Sequence, residues 1–326
     1  MNVSTSEPTT PNPTRSAMAS DPDALMRIKN LELRAKAVVE GFLTGLHRSP
    51  YHGFSVEFSE YRQYSPGDDP RYLDWRLFAR SDRYYIKRFE DETNLRCWLL
   101  VDLSRSMGFG SGDHTKAEYA KTAAATLAYF MTLQRDAVGI MTFDETIREF
   151  LPARFRTGHM RRLMLGLENS LGGKNTDLIT PIEQMADLVS KRGLVVLISD
   201  VLTPVEPLRQ SLSYLRSRGH EIVLLRVLDP SETEFSFRDP VMFHDLESGR
   251  EIYVDPDAVR ESYLKNFHEH AASLQQICDT LGIDLISVPT TQPLEYVLFD
   301  FLNMRMRRSR SAATRSANLN AGGPTA

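Results

Sequence analysis

Short runs of apolar residues alternate with longer amphipathic stretches over residues 94–304. The runs contain almost no polar positions, which is typical of strands buried on both faces of a parallel sheet. The longer stretches carry apolar residues at helical spacing. This alternation predicts an α/β fold, a doubly wound and mostly parallel sheet flanked by helices. The predicted strands are 95–101, 137–143, 195–198, 222–228 and 283–288, and the predicted helices are 115–133, 160–171, 207–218 and 258–281.

Two short segments depart from this alternation. Residues 146–150 follow the second predicted strand after only two residues, which predicts an antiparallel edge strand. Residues 241–243 and 252–254 are apolar and face each other across Glu247-Ser248-Gly249, which predicts a hairpin inserted at about 239–254. Asp255 followed by Pro256 predicts a helix cap with proline in the first turn.

The amino-terminal part of the chain has a different pattern. Apolar residues at helical spacing predict a helix over 23–46, and alternation predicts a half-buried strand over 54–61. We therefore expect residues 23–93 to form an N-terminal helix and strand appendage to the 94–304 domain. Both tails are predicted to be disordered, residues 1–22 by their Pro, Ser and Thr content and the basic segment 305–326 by its small polar residues.

Composition narrows the class of protein. The formal net charge of −4 is mild, so no nucleic-acid partner is expected. The two cysteines, Cys97 and Cys278, fall within predicted core elements, which favours a reducing compartment over a disulfide. No apolar run has the length of a membrane span, and the first residues lack the apolar segment of a secretion signal. We therefore expect a cytoplasmic protein with no membrane span.

Oxygen-bearing side chains gather where strands are predicted to end. Asp102, Ser104 and Ser106 follow the first strand, a glycine turn at 172–178 precedes a helix, and the strand beginning at Val195 ends in Ser199-Asp200. Open α/β sheets bind ligands at the carboxyl ends of their strands. Hydroxyl and carboxylate oxygens suit Mg²⁺, and also Mn²⁺ or Ca²⁺. The pattern predicts a metal site, although the serines could instead cap the next helix.

This arrangement resembles a von Willebrand factor A domain. In that family a metal-ion-dependent adhesion site combines D-x-S-x-S, a threonine on a later loop and an aspartate after the fourth strand. The resemblance implies that serine and threonine contact the metal or its waters, that the aspartates act directly or through water, and that an acidic residue of a partner completes the shell. The matching positions here are Asp102, Ser104, Ser106, Thr176 and Asp200.

A second resemblance rests on residues 64–75, Y-S-P-G-D-D-P-R-Y-L-D-W. The segment resembles the Y-x-P-G-D-x-x-R-x-I-D-W signature of a bacterial family, domain of unknown function fifty-eight, which precedes a von Willebrand A-like domain. Genes of that family commonly lie beside those of MoxR-type AAA+ ATPases. The resemblance implies a MoxR-type AAA+ ATPase partner and a role in the maturation or activation of a client protein that bears an acidic residue.

Charges of both signs are dense in and after this signature. Arg71, Asp74 and Arg80 are the residues that we expect to bind a partner. The same charges could equally form an ion-pair network that fixes this region to the sheet.

Three hypotheses for function follow from the sequence. The favoured one is a non-catalytic, metal-dependent protein-binding module. The second is a Mg²⁺-dependent hydrolase with Asp102 as nucleophile and Asp200 as metal ligand, although no histidine or glutamate in the motif offers an obvious base. The third is a metal-free scaffold with a vestigial site.

Overall fold

A computed structural model of the chain describes residues 20–48, 61–63, 85–87, 95–172, 177–244 and 250–321. Its strands are β1 (Tyr61–Gln63), β2 (Tyr85–Lys87), β3 (Arg96–Asp102), β4 (Ala137–Phe143), β5 (Ile147–Arg154), β6 (Leu194–Ser199), β7 (Glu221–Leu228), β8 (Val241–His244), β9 (Glu251–Val254) and β10 (Asp284–Pro289). Its helices are α1 (Pro22–Met26), α2 (Leu31–Arg48), α3 (Lys116–Leu133), α4 (His159–Leu167), α5 (Ile179–Leu188), α6 (Val205–Ser217), α7 (Pro230–Glu234), α8 (Pro256–Leu281) and α9 (Leu294–Ala321).

Six strands form the central sheet, in the order β10-β7-β6-β3-β4-β5. All neighbours in it are parallel except β4 and β5, which pair antiparallel at one edge. Strand β3 lies inside the sheet, where Leu99 pairs with Ile140 of β4 and with Val196 of β6. The predicted mostly parallel sheet and its antiparallel edge strand are confirmed.

Helices cover both faces of this sheet. Along β3, Leu99 and Val101 belong to the core beneath α2, α3, α4 and α9, whereas Trp98 and Leu100 belong to the core beneath α5, α6 and α8. Alternate residues of one strand therefore enter opposite cores, which explains why the strand sequences are continuously apolar. The doubly wound architecture is confirmed.

The first helical segment is interrupted, so the prediction of one helix over 23–46 is wrong. Helix α1 ends at Met26 and α2 begins at Leu31. The side chain of Asn30 accepts a hydrogen bond from the amide of Leu33 (2.9 Å), which is how a capping residue starts a new helix.

Helix α2 is part of the main core. It packs along α3 and buries Leu31, Ala35, Val38, Val39 and Phe42 against that helix and its surroundings. Strands β1 and β2, the other described parts of the 23–93 segment, pair antiparallel with each other. The domain boundary at residues 93 and 94 stays a prediction. Most of the predicted strand 54–61 lies outside the described residues.

The carboxyl-terminal helix is longer than the sequence suggests. Residues 305–321 continue α9, so predicted disorder is wrong for them. The helix is anchored by the buried side chains of Val297, Leu298 and Phe301, and Arg308 donates a hydrogen bond to the carbonyl of Gly282 (2.6 Å). Serine and alanine in the following segment are compatible with helix once its start is fixed in this way.

The inserted hairpin is confirmed, because β8 and β9 pair antiparallel with Met242 opposite Tyr253. Asp255 caps α8 through its side chain and Pro256 occupies the first turn, as predicted. Cys97 and Cys278 are buried and free. No helix in the described part of the chain is long and apolar enough to cross a membrane.

Candidate metal centre at the carboxyl end of the sheet

Asp102 is fully buried where β3 ends. Its Oδ1 accepts a hydrogen bond from the amide of Ser104 (2.9 Å), and its Oδ2 accepts one from the hydroxyl of Ser199 (2.7 Å) at the end of β6. The hydroxyl oxygen of Ser199 in turn accepts from the amide of Val201 (3.0 Å). Both donors to Asp102 are neutral, and no basic side chain among the described residues forms an ion pair with it.

The hydroxyls of Ser104 and Ser106 lie side by side after the strand, with their Oγ atoms 3.1 Å apart. Ser104 precedes a turn of 3₁₀ helix over Arg105–Gly108, but its side chain makes no capping hydrogen bond there. Capping of this turn therefore does not account for the Ser104 hydroxyl. Ser104 is buried and Ser106 is half-buried, so the pair is reached by solvent from the Ser106 side.

Asp200, directly after β6, binds an ammonium group. The Nζ of Lys116 lies 2.8 Å from Asp200 Oδ2 and 2.6 Å from Glu232 Oε1, and only 1% of the lysine side chain is exposed. Burial alone would lower the pKa of Lys116, but the charges of Asp200 and Glu232 outweigh burial and raise it. Lys116 is therefore a buried, charged residue with two carboxylate partners.

The turn after Asp200 is strained. Val201 has φ of 53°, in the left-handed region that a β-branched residue rarely adopts. The Ser199 hydroxyl holds its amide, and Asp200 Oδ1 accepts a longer hydrogen bond from the amide of Leu202 (3.4 Å). Such strain costs on the order of 1–3 kcal/mol and persists only where surrounding contacts fix the backbone. Here the hydrogen bonds made by the amides of Val201 and Leu202 are among those contacts.

The loop that follows Ser106 is hydrogen-bonded to Asp229, directly after β7. Ser111 donates two hydrogen bonds to Asp229, from its amide (2.9 Å) and from its hydroxyl (2.7 Å). Asp229 also caps α7 in a reciprocal capping box with Glu232. The loop that carries Ser111 is therefore connected to Lys116, because Asp229 binds Glu232 and Glu232 forms an ion pair with Lys116.

Burial raises the pKa of Asp102 to about 6, the charge of Asp200 adds to the rise, and hydrogen bonds from Ser199 and Ser104 oppose it. A native carboxyl with a raised pKa binds its proton more tightly than the unfolded chain does. Without metal, the stability contribution of this group is present below about pH 4 and is lost as the pH rises through about 6.

We expect this loss to be visible in denaturation at a series of pH values in EDTA. Between about pH 4 and about pH 7, the free energy of unfolding of the wild type should fall, relative to Asp102→Asn, by on the order of 2 kcal/mol. Titrating groups that do not interact with Asp102 contribute equally to both proteins and cancel in the difference. Parallel stability curves for the two proteins would contradict the assignment of this titration to Asp102.

The donor set fits a small, hard cation. Two ligands at neighbouring corners of an octahedron with bonds of about 2.0–2.1 Å are about 2.8–3.0 Å apart, slightly less than the 3.1 Å between the two serine hydroxyls. Asp102 supplies an anionic oxygen close to them, and no cationic side chain in the described ranges pairs with it. No set of three or more His, Cys, Asp or Glu side chains within the described ranges could hold a metal, so a cation here would rely on hydroxyl oxygens.

The structure brings only some of the predicted site residues together. Asp102, Ser104 and Ser106 come together through direct hydrogen bonds, and Asp200 lies at the same end of the sheet but is paired with Lys116. Four residues of the sequence prediction lie outside the described residues, and their roles stay predictions: Thr176, Arg71, Asp74 and Arg80.

Sequence reasoning missed Lys116, Ser199 and Glu232. One signal for Lys116 was present, because the positive end of the helix dipole disfavours a cation in the first turn of a helix. Lys116 is the first residue of α3, so a lysine there needs carboxylate partners. Those partners are 84 and 116 residues away in the chain, and no local pattern identifies them.

Comparison with known proteins identifies the family of this chain. The family model described as protein of unknown function DUF58 matches residues 60–273. The chain belongs to this family. An uncharacterized protein of Mycobacterium tuberculosis is 30% identical over 292 residues, which cover 88% of this chain and 91% of the relative.

Two solved structures are similar at lower identity. The first is an aerotolerance-related membrane protein from Bacteroides fragilis, with 17% identity, a TM-score of 0.43 and coverage of 64% of this chain and 99% of that one. The second is the SpRpn10 VWA domain, with 15% identity, a TM-score of 0.40 and coverage of 63% and 93%.

Proposed function

We propose that this DUF58 family member is a non-catalytic protein-interaction module whose binding depends on a divalent cation, most simply Mg²⁺. The observation that carries the proposal is the buried Asp102 carboxylate, which has only neutral donors among the described residues and is followed by two hydroxyls whose oxygens are 3.1 Å apart, near the spacing of neighbouring octahedral ligands. A cation held there by few protein charges would offer an open position to a carboxylate oxygen of a partner.

The residues of this chain have separate roles in the proposal. Asp102 supplies the negative charge, and Ser104 and Ser106 supply neutral oxygens, with Ser106 on the solvent side. Ser199 and the Ser104 amide orient the Asp102 carboxylate. We also propose Thr176 as a further hydroxyl ligand, on the resemblance to the adhesion site alone.

The burial of Asp102 supports binding over hydrolysis. A carboxylate nucleophile must reach its substrate, whereas Asp102 is fully buried and both of its oxygens accept hydrogen bonds. The metal-free scaffold of the third hypothesis predicts that Mg²⁺ changes neither partner binding nor melting temperature.

We propose a MoxR-type AAA+ ATPase as the machine with which the module acts, and an acidic client as its ligand. The support for this partnership is that genes of the family commonly lie beside those of MoxR-type AAA+ ATPases. The charged signature residues Arg71, Asp74 and Arg80 are proposed as a second contact surface. A cytoplasmic location is proposed on the composition of the chain.

Capture of the MoxR-type ATPase of the same genome, with and without client, tests the proposal. Wild type should capture its partner in Mg²⁺ but not in EDTA, and Ser106→Ala should weaken capture in Mg²⁺ by more than about tenfold, because one metal ligand is lost. The matched control is Ser273→Ala, an exposed serine of α8. Equal capture by all proteins in both buffers would refute metal dependence and move the contact elsewhere.

A further inference from the structure

Lys116 occupies an unusual place for a lysine. Its side chain is almost completely buried beside the proposed metal centre, where it bridges Asp200 and Glu232. Lysine is almost never fully buried unless it is paired, because an isolated ammonium loses its hydration. The pairing therefore belongs to the architecture of the site, and the proposed function gives it no role.

The charges of the site divide into two groups. Asp200 and Glu232 share the ammonium of Lys116, and the carbonyl of Asp200 accepts a hydrogen bond from the buried Arg226 (3.1 Å). Among the described residues, Asp102 accepts hydrogen bonds only from the neutral donors Ser104 and Ser199. Within that part of the chain, Asp102 is thus the carboxylate of the site that has no cationic partner.

We propose that Lys116 is a built-in counter-cation that holds Asp200 away from the bound metal, so that the protein contributes one carboxylate, Asp102, directly. This inference rests on the proposed function and names what sets the metal affinity. A cation held by one carboxylate and neutral hydroxyls binds weakly by itself. It is then retained best when an acidic partner adds a second carboxylate, which makes metal and partner binding mutually dependent.

Several contacts keep Lys116 in this position. Glu232 is fixed because its second oxygen accepts a hydrogen bond from the amide of Asp229 (2.9 Å). The ring of Phe109 lies over the ammonium, 5.9 Å from its centroid, within the range of a cation–π contact. Asp200 is held as well, because Arg226 donates to its carbonyl and the amide of Leu202 donates to its Oδ1. These contacts would have to break before Asp200 could bind the metal directly.

A double-mutant cycle on Mg²⁺ affinity tests the inference without any partner protein. Calorimetric titration with MgCl₂ would compare the wild type with Lys116→Met, Asp200→Asn and the double variant. Lys116→Met should bind Mg²⁺ about tenfold more tightly, because Asp200 becomes free to join the ligands. In the Asp200→Asn background the same substitution should change affinity by less than about threefold, because residue 200 then has no carboxylate to offer and Glu232 is still held by the amide of Asp229.

Two further proteins control this cycle. Lys121→Met removes a half-buried lysine of the same helix whose Nζ contacts the carbonyl of Asn169, and it should leave Mg²⁺ affinity within about threefold of the wild type. Lys116→Gln, which keeps hydrogen-bond donors for the carboxylates, replaces Lys116→Met in the cycle where the methionine variant does not fold.

The outcomes separate the inference from the proposed function. Tighter Mg²⁺ binding that requires Asp200 supports the inference. An equal gain in both backgrounds overturns it, since Lys116 then acts only as a nearby charge, and unchanged or weaker binding overturns it as well. Mg²⁺ binding by the wild type that Asp102→Asn abolishes keeps the proposed function in either case. Absence of binding in every variant overturns both.

Discussion

Phe42→Ala is expected to lower the free energy of unfolding by about 3–5 kcal/mol, a large share of the stability of an ordinary domain. Phe42 lies in α2 with 1% of its surface exposed, and its ring meets Phe130 of α3 edge to face, with centroids 6.3 Å apart. Its removal would leave a cavity between the two helices and would end this aromatic contact. Denaturant unfolding followed by circular dichroism measures the loss.

Leu33→Ala is the matched control for this prediction. Leu33 is on the same helix but 56% exposed, so its truncation should change stability by less than about 0.5 kcal/mol. A similarly small effect of Phe42→Ala would mean that α2 is dispensable to the core. A large effect in one cooperative transition would mean that the amino-terminal helix and the sheet unfold together.

The sheet could be predicted because the apolar sequence of each strand is sufficient by itself to indicate a buried strand. In β3 and β6 nearly every residue is apolar, since alternate side chains enter the cores of the two faces. The same logic failed at the amino terminus. The apolar positions of α1 and α2 continue one helical pattern, and the break between them depends on a single side chain, Asn30, that accepts a hydrogen bond from a backbone amide.

The carboxyl-terminal helix was missed for a related reason. Small polar residues are typical of disorder when nothing holds them, but here α9 starts from a buried apolar turn that includes Leu298 and Phe301. Arg308 then binds the carbonyl of Gly282 and forms an ion pair with Asp284. Composition reports the cost of ordering a segment, whereas the anchor that offsets this cost comes from tertiary contacts.

The residues of the candidate site also differ in whether local sequence or tertiary contacts bring them together. Asp102, Ser104 and Ser106 are close in sequence, so the end of one strand is sufficient to bring them together. The pairing of Asp200 with Lys116 depends on which strand end lies beside the first turn of α3, and sequence spacing does not encode it. A motif could therefore suggest Asp200 as a metal residue, while its partner in the fold was found only by structure.

Gly110→Ala is expected to damage the site and the fold together. Gly110 lies in the loop between Ser106 and Lys116, and a Cβ there would be 2.3 Å from the carbonyl oxygen of His114 and 2.9 Å from the Cα of Thr115. Both are backbone atoms, so no side-chain rotation relieves the overlap. We expect a loss of about 3 kcal/mol in the free energy of unfolding and at least about tenfold weaker Mg²⁺ binding.

The same loop supplies the control. Gly112→Ala adds an identical methyl group two residues away, where it meets no atom within 4 Å, and should change stability by less than about 0.5 kcal/mol. The loop is closed at its far end by the amide of Lys116, which donates to the carbonyl of Phe109 (2.9 Å). Displacement of the loop would therefore move the serine hydroxyls and the lysine relative to each other. If Gly110→Ala lost stability but kept wild-type Mg²⁺ affinity, the metal would have to bind independently of this loop geometry, and the placement of the cation at Ser104 and Ser106 would be wrong.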